Sequence, residues 1–208
     1  MRCVIFAGSD INDYEYVKST ITKDDFLICC DSGLIHMERL GMIPDLCVGD
    51  FDSHKEPEKG RYKELIKLPR IKDDTDSFYA VKEAYNRGYR DFLIFGATGR
   101  RIDHTLCNVY MLQWLFERGA KGVIADEYCE LEVIDKAGVE SGVYPFFSLI
   151  NITGTARHIN VSGAKYGLSD GEIKSDYQYG VSNEVLPGET ARISVGEGSL
   201  LLIKVRKG

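Results

Sequence analysis

The chain has 208 residues, 44% of them hydrophobic and 28% charged, which is the balance of a globular protein with room for one large domain or two small ones. A net charge of −6 excludes a basic field for binding a nucleic-acid backbone. No run reaches the roughly 20 apolar residues needed to span a bilayer, and Met1-Arg2-Cys3-Val4-Ile5-Phe6-Ala7-Gly8 is too soon broken for a signal peptide. A cytoplasmic location is therefore expected.

The first part alternates strand-like and helix-like segments. Short apolar runs at residues 3–7, 26–30, 45–48, 92–95 and 123–125 end in Gly or Asp, or lie just before one, as strands buried on both faces do. Between them, residues 34–40 read as a helix stopped by Gly41, residues 75–87 as one stopped by Gly88, and residues 103–118 as one stopped by Gly119. This alternation predicts a mostly parallel sheet with flanking helices, and such sheets bind ligands beyond the carboxyl ends of their strands. Six cysteines, at 3, 29, 30, 47, 107 and 129, include no Cys-x-x-Cys pair. Zinc is not expected, and buried reduced thiols are.

From Glu130 on, helical periodicity disappears. Residues 131–134, 146–152, 157–161, 191–195 and 200–205 read as strands, with Val195-Gly196-Glu197-Gly198-Ser199 as a hairpin turn. The pattern predicts a C-terminal antiparallel β-sandwich or barrel and a boundary near 126, dividing the chain into 1–126 and 127–208.

Polar clusters follow the predicted strands. Asp31-Ser32-Gly33 follows the second, and Gly49-Asp50-Phe51-Asp52-Ser53 the third. In extended chain Asp50 and Asp52 face one side, so both could hold a Mg²⁺, which takes one or two carboxylates and keeps waters and phosphates. A solvated turn is the alternative. Lys72-Asp73-Asp74-Thr75-Asp76 opens a helix. One acid there can act as its cap, or Asp73 and Asp76 can meet one turn apart and need a cation against their repulsion. Gly96-Ala97-Thr98-Gly99-Arg100-Arg101-Ile102-Asp103-His104 offers glycines, a helix N-terminus and arginine to a phosphate, although Asp103 can equally be a cap and the P-loop signature is absent. Together these describe a nucleotide-phosphate transfer site.

At these residues the chain resembles the thiamine pyrophosphokinase family. The resemblance rests on Asp31-Ser32-Gly33, the string Gly41-Met42-Ile43-Pro44-Asp45-Leu46-Cys47-Val48-Gly49-Asp50-Phe51-Asp52-Ser53, Lys72 to Asp76, and Gly96 to Asn108. It implies an α/β domain that binds ATP and Mg²⁺, then a β-sandwich that binds thiamine and forms a homodimer, with diphosphate transfer from ATP to thiamine, leaving AMP. It further implies that Asp50, Asp52 and Asp73, with Asp76, hold Mg²⁺ and the triphosphate. Gly96, Gly99, Arg101, Asp103 and His104 would contact or orient ATP, with Asp31 nearby. On the sandwich, Ser182 and Asn183 would hydrogen-bond the aminopyrimidine ring. Tyr166 would pack on the vitamin or sit in the core. The family commonly has Asp-Gly-Gly where this chain has Asp31-Ser32-Gly33, and often Lys where it has Asp74. Two other readings compete: a diphosphokinase of another heterocyclic alcohol such as a hydroxymethylpterin, and a nucleotide sensor without turnover.

Overall fold

A computed structural model of the chain describes residues 1–51, 60–99 and 101–206. The chain divides into two compact units, Met1–Glu127 and Tyr128–Gly208.

The first unit is a six-stranded parallel sheet. Its strands are β1 (Cys3–Phe6), β2 (Phe26–Cys30), β3 (Leu46–Gly49), β4 (Glu64–Lys67), β5 (Asp91–Phe95) and β6 (Lys121–Ala125), in the spatial order β6-β5-β1-β2-β3-β4. The order reverses at β1, which has β2 on one side and β5 on the other. At that switch point neighbouring crossovers part and leave a crevice at the carboxyl ends. The central strands are continuous apolar runs because both faces are covered. Ile5, Phe6, Ile28, Leu46, Phe92, Ile94 and Ile124 are fully buried.

Four helices connect the strands: α1 (Tyr14–Thr20), α2 (Leu34–Leu40), α3 (Asp76–Asn86) and α4 (Ile102–Glu117). Gly41 ends α2 in the left-handed conformation at φ 67°. On α3, Ser77, Ala80, Val81 and Ala84 form the buried stripe, with the i, i+3, i+4, i+7 spacing of an amphipathic helix. Phe78 and Tyr85 of α3 meet Trp114 of α4 edge-on, with ring centroids 5.6 and 5.3 Å apart. Helix α1 and strand β4 were not expected from the sequence. Only Val17 of α1 is buried, and β4 is an edge strand with mostly charged or half-buried residues, so neither carries a strong apolar signal. No helix among the described residues is long and apolar enough to cross a membrane. All six cysteines are free thiols, and four are buried. The Sγ atoms of Cys29 and Cys47 lie 2.9 Å apart on adjacent strands. That contact and burial raise the Cys29 pKa, keeping it a protonated thiol.

The second unit is an antiparallel sandwich. One layer has β12 (Asn183–Glu184), β9 (Phe146–Ile150), β14 (Leu200–Val205) and β7 (Cys129–Ile134) in that order. The other has β11 (Leu168–Lys174), β10 (Thr155–Ser162), β13 (Thr190–Ser194) and β8 (Lys136–Glu140). Side chains from both layers share a core that includes Phe147, Leu149, Leu200 and Leu202 against Ile159, Ile173, Ala191 and Ile193. Residues 195–199 do not form the expected hairpin. β13 pairs with β8 and β10, while β14 pairs with β7 and β9, so the glycine-rich turn carries the chain from one layer to the other. Turn composition is the same for a hairpin and a crossing between layers, and only strand pairing tells them apart.

Candidate active site

Beyond the carboxyl ends of β1, β2, β3 and β5 lies a cavity of about 380 Å³, lined in part by Ser9, Asp31, Asp50, Lys72, Asp76 and Arg101. The loops after β1 and β5 are tied together, Ala7 N–H to Phe95 O at 2.9 Å and Ser9 N–H to Gly96 O at 2.8 Å. Gly96 has φ 63°, and a Cβ there would stand 2.6 Å from the Ala7 carbonyl. Only glycine permits this approach.

After β2 the chain turns at once into a single 3₁₀ turn, Asp31–Gly33, with Asp31 at φ 40°. Ser32, where the resembling family commonly has glycine, places its Oγ 2.0 Å from where a Cβ on Gly8 would stand. The serine thus fits because residue 8 has no side chain. After β3, Phe51 adopts φ 55° and packs into the core. Its left-handed backbone departs from the extended chain that the i, i+2 geometry expected for Asp50 and Asp52 requires. Positive φ at Asp31 and Phe51, both non-glycine and both beside the cavity, is strain of the kind that collects at functional sites. Asp52 lies outside the described residues.

Thr75, not an acid, caps α3, accepting from Phe78 N–H at 3.2 Å. The helix begins at Asp76, so Asp73 precedes it and does not share a helical face with Asp76. Asp73 is exposed and does not line the cavity, whereas Asp76 does. Asp74 turns to Lys82 of α3 as an ion pair, away from the lining. Asp76, in the first turn of α3, lies where the helix dipole favours an anion.

Lys72 joins the acids. Its Nζ lies 2.9 Å from Asp50 Oδ2 and 2.7 Å from Asp76 Oδ1. The Asp50 contact is a hydrogen bond, while Asp76 is met as an ion pair without hydrogen-bond alignment. The three side chains are 16%, 12% and 24% exposed. Burial works against the Lys72 charge, but the contacts with Asp76 and Asp50 outweigh it and raise its pKa. The sequence reading assigned Lys72 no role. Its only signal was a position four residues before Asp76 with no helix to make that spacing meaningful.

On the other wall, Asn108 donates to Ala97 O at 2.8 Å and accepts from Ser77 Oγ at 3.4 Å, fastening α4 both to the Gly96 loop and to α3. Arg101 and His104, at the start of α4, face the cavity. Asp103 does not line it. It instead grips the Arg101 guanidinium in two bonds, 2.9 and 2.7 Å, on the exposed side. That pairing holds the Asp103 pKa below the usual carboxylate range. Gly99 is also off the lining, at φ 153°.

His36 of α2 supports this wall from behind. Its Nε2 is 2.9 Å from Ser9 O, which can only accept, so Nε2 carries the proton. Nδ1 is left to accept from the Tyr14 hydroxyl at 2.7 Å. Burial lowers the His36 pKa, partly offset by the Ser9 bond. A folded pKa below the unfolded value means that the unfolded chain takes up a proton first as pH falls. Stability should therefore decline as pH drops below about 6.5, the unperturbed histidine value. Urea unfolding from pH 7.5 to 5 should show a shallower decline for His36→Gln than for the parent. Equal slopes would contradict a buried, neutral His36 held between Ser9 and Tyr14.

The sandwich has its own cavity of about 470 Å³, lined by Tyr166, Leu168, Tyr179, Val181, Ser182 and Asn183 among others. Tyr166 is 61% exposed, so the core alternative does not hold. Asn183 is buried and its amide is committed to backbone. Oδ1 accepts from Tyr166 N–H at 3.0 Å and Glu184 N–H at 2.9 Å, and Nδ2 donates to Tyr166 O at 2.8 Å. Asn183 thereby positions Tyr166. Ser182 sits at φ 58° and donates its N–H to Ser148 Oγ.

Among the described residues, no three His, Cys, Asp or Glu side chains converge into a complete metal-ligand set. Mg²⁺ does not need one, since water and phosphate oxygens fill most of its coordination positions. The hard oxygens of Asp50 and Asp76 already converge on a single cationic atom, which makes this donor pair suited to that ion.

Two family descriptions match the chain in tandem: "Thiamin pyrophosphokinase, catalytic domain" over residues 17–124 and "Thiamin pyrophosphokinase, vitamin B1 binding domain" over residues 133–200. A curated relative, thiamine pyrophosphokinase of Bacillus subtilis (strain 168), is 26% identical over 207 residues, 96% of each chain. The crystal structure of thiamine pyrophosphokinase from Bacillus subtilis superposes with a TM-score of 0.86 at 24% identity, covering 100% of both chains. That of thiamin pyrophosphokinase from Geobacillus thermodenitrificans gives 0.82 at 26% identity, covering 100% of this chain and 99% of the other. Yeast thiamin pyrophosphokinase keeps the same fold at 13% identity, with a TM-score of 0.77 over 98% of this chain and 86% of that one. With its first unit matched from residue 17 to residue 124 and its second from 133 to 200, the chain belongs to the thiamin pyrophosphokinase family.

Proposed function

We propose that the chain transfers the β,γ-diphosphate of ATP to the hydroxyl of thiamine, giving thiamine diphosphate and AMP. The observation that carries this reading is the convergence of Asp50 and Asp76 on one cationic point at the carboxyl end of the sheet, in a cavity that Arg101 and His104 also line. Acids and bases lining one cavity suit a polyphosphate carried with a divalent cation.

In this reading Asp50 and Asp76, with Asp31 nearby and Asp52 from the adjoining segment, hold Mg²⁺. Of the Asp73 and Asp76 that the resemblance implies, this reading keeps Asp76 and leaves out Asp73. When bound, the ion neutralises phosphate charge and aligns the oxygens of the transferred group. The substrate hydroxyl attacks the β-phosphorus in line, a new O–P bond forms as the hydroxyl proton is released to solvent, the bond from the β-phosphorus to the bridging oxygen of the α-phosphate breaks, and AMP leaves. The chain's part is positioning and charge, because such transfers need little covalent help. Arg101 faces the phosphate chain, and Asp103 holds its guanidinium from behind. The Gly96 loop lets backbone approach the phosphates. The exposed Tyr166 ring is offered to the vitamin from a backbone that Asn183 holds, with Ser182 beside it as a hydrogen-bonding group. A homodimer formed through the sandwich fits the exposed apolar side chains there, among them Phe146, Val181 and Leu186.

Mass spectrometry after incubation with ATP, Mg²⁺ and either thiamine or a hydroxymethylpterin tests the reading. AMP and thiamine diphosphate should form with thiamine only. AMP formation with the pterin alone would shift the acceptor. Absence of AMP with either would favour a sensor.

A further inference from the structure

The first-unit cavity presents Asp31, Asp50 and Asp76 against Lys72 and Arg101. These cations are not equivalent. Arg101 is held on its exposed side by Asp103, outside the acid group. Lys72 lies within the acid group, with one nitrogen shared between Asp50 and Asp76 and only 16% of its side chain exposed. Two carboxylates this close to one another repel unless a positive charge lies between them. That place is taken by Lys72, and it is the place in which a divalent ion would be most strongly attracted. A cation and the ammonium cannot both occupy it.

We propose that Lys72 is a built-in counter-ion that holds the Asp50–Asp76 pair together before substrate arrives and must leave it for the divalent cation to enter, so that a charge already stored in the cavity wall becomes available to the phosphates. This rests on the reading of Asp50 and Asp76 as the Mg²⁺ carboxylates. It adds a positioning residue and an order of events: the cation displaces the lysine, and the lysine then faces an anionic ligand. The exchange keeps the acids compensated at every stage. It also explains why a lysine is tolerated in a cation site at all. Its flexible four-carbon stem carries a point charge that can swing between partners, where an arginine fork would be held by both.

The test uses the full chain without nucleotide and MgCl₂ as the probe, with thermal unfolding and calorimetric titration as readouts. Lys72→Met should lower the melting temperature without Mg²⁺, because the Asp50–Asp76 pair then loses the ammonium that both carboxylates share. It should also bind Mg²⁺ about tenfold more tightly, the effect of removing an internal competitor worth a typical ion pair or slightly more. The gap in melting temperature between parent and variant should close as Mg²⁺ is added. Lys72→Arg should keep the weak affinity of the parent. A gap that persists at saturating Mg²⁺, with unchanged affinity, would make Lys72 a permanent structural bridge and overturn the proposal. So would an absence of any Mg²⁺ response in both proteins. A distinct failure is a Mg²⁺ response in Lys72→Met that survives a further Asp50→Asn change. The cation would then lie elsewhere, and the metal reading itself would fall.

Discussion

Asp50→Asn should lower kcat for AMP formation by about 10²–10³-fold, the loss that follows removal of one preorganised electrostatic group at a transferring centre. The substitution keeps size and hydrogen-bonding shape, and Asp76 still compensates Lys72, so the melting temperature without Mg²⁺ should change little. Asp76→Asn should behave the same way. Asp73→Asn should stay within about twofold, because Asp73 is exposed and off the cavity lining. The three variants measured side by side at several Mg²⁺ concentrations separate the two placements of the ligand set. A large loss in Asp73→Asn would restore Asp73 to the set that the family resemblance implies, and near-normal Asp76→Asn would reject the set drawn from geometry.

Gly33→Ala should be the most damaging single-methyl change near the site. A Cβ at Gly33 would stand 2.1 Å from the Phe6 carbonyl oxygen and 2.8 Å from its carbon. Those atoms belong to the central strand β1 and cannot rotate away as a side chain would. The expected cost is about 3 kcal/mol, the upper end for overpacking, or about 10 °C in melting temperature for a chain of this size. The turn that must shift carries Asp31, so activity should fall in the protein that remains folded. Gly41→Ala is the matched comparison. Gly41 has φ 67° but nothing within 4 Å of an added Cβ, so only the backbone conformation is penalised, by about 1 kcal/mol. Thermal unfolding of both variants decides it, and similar losses would mean that the β1 backbone yields to the new methyl.

The strand–helix alternation of the first unit was legible because its strands are buried on both faces. The continuous run Phe26–Cys30 matches an observed strand residue for residue, as does Leu200–Val205 in the second unit. Helix ends marked by glycine were equally clear, Gly41 being a true left-handed stop. Elements with thin apolar signals, α1 and β4, were not. At the site, residue types and their order pointed to acids and glycines beside a phosphate. Their pairing did not follow from spacing. Asp50 and Asp52 were aligned on the assumption of extended chain, which the left-handed Phe51 breaks. Asp73 and Asp76 were aligned on the assumption of a shared helix, which begins at Asp76. Asn183 was expected to hydrogen-bond the ligand, and the fold also uses its amide to hold the backbone of Tyr166 and Glu184.

The sequence alone settled what is local and periodic: two chain segments of different character, the strand ends where polar clusters gather, and the motif string Gly49 to Ser53 that carries the family resemblance. The tertiary structure decided what depends on backbone direction and on partners far along the chain. Lys72 meets Asp50 across 22 residues, and Asn108 meets Ala97 and Ser77 from a different helix. A carboxylate's role is set by the charge that faces it. In this protein that charge is brought to Asp50 by the fold, from a strand end and a helix start that no sequence spacing connects.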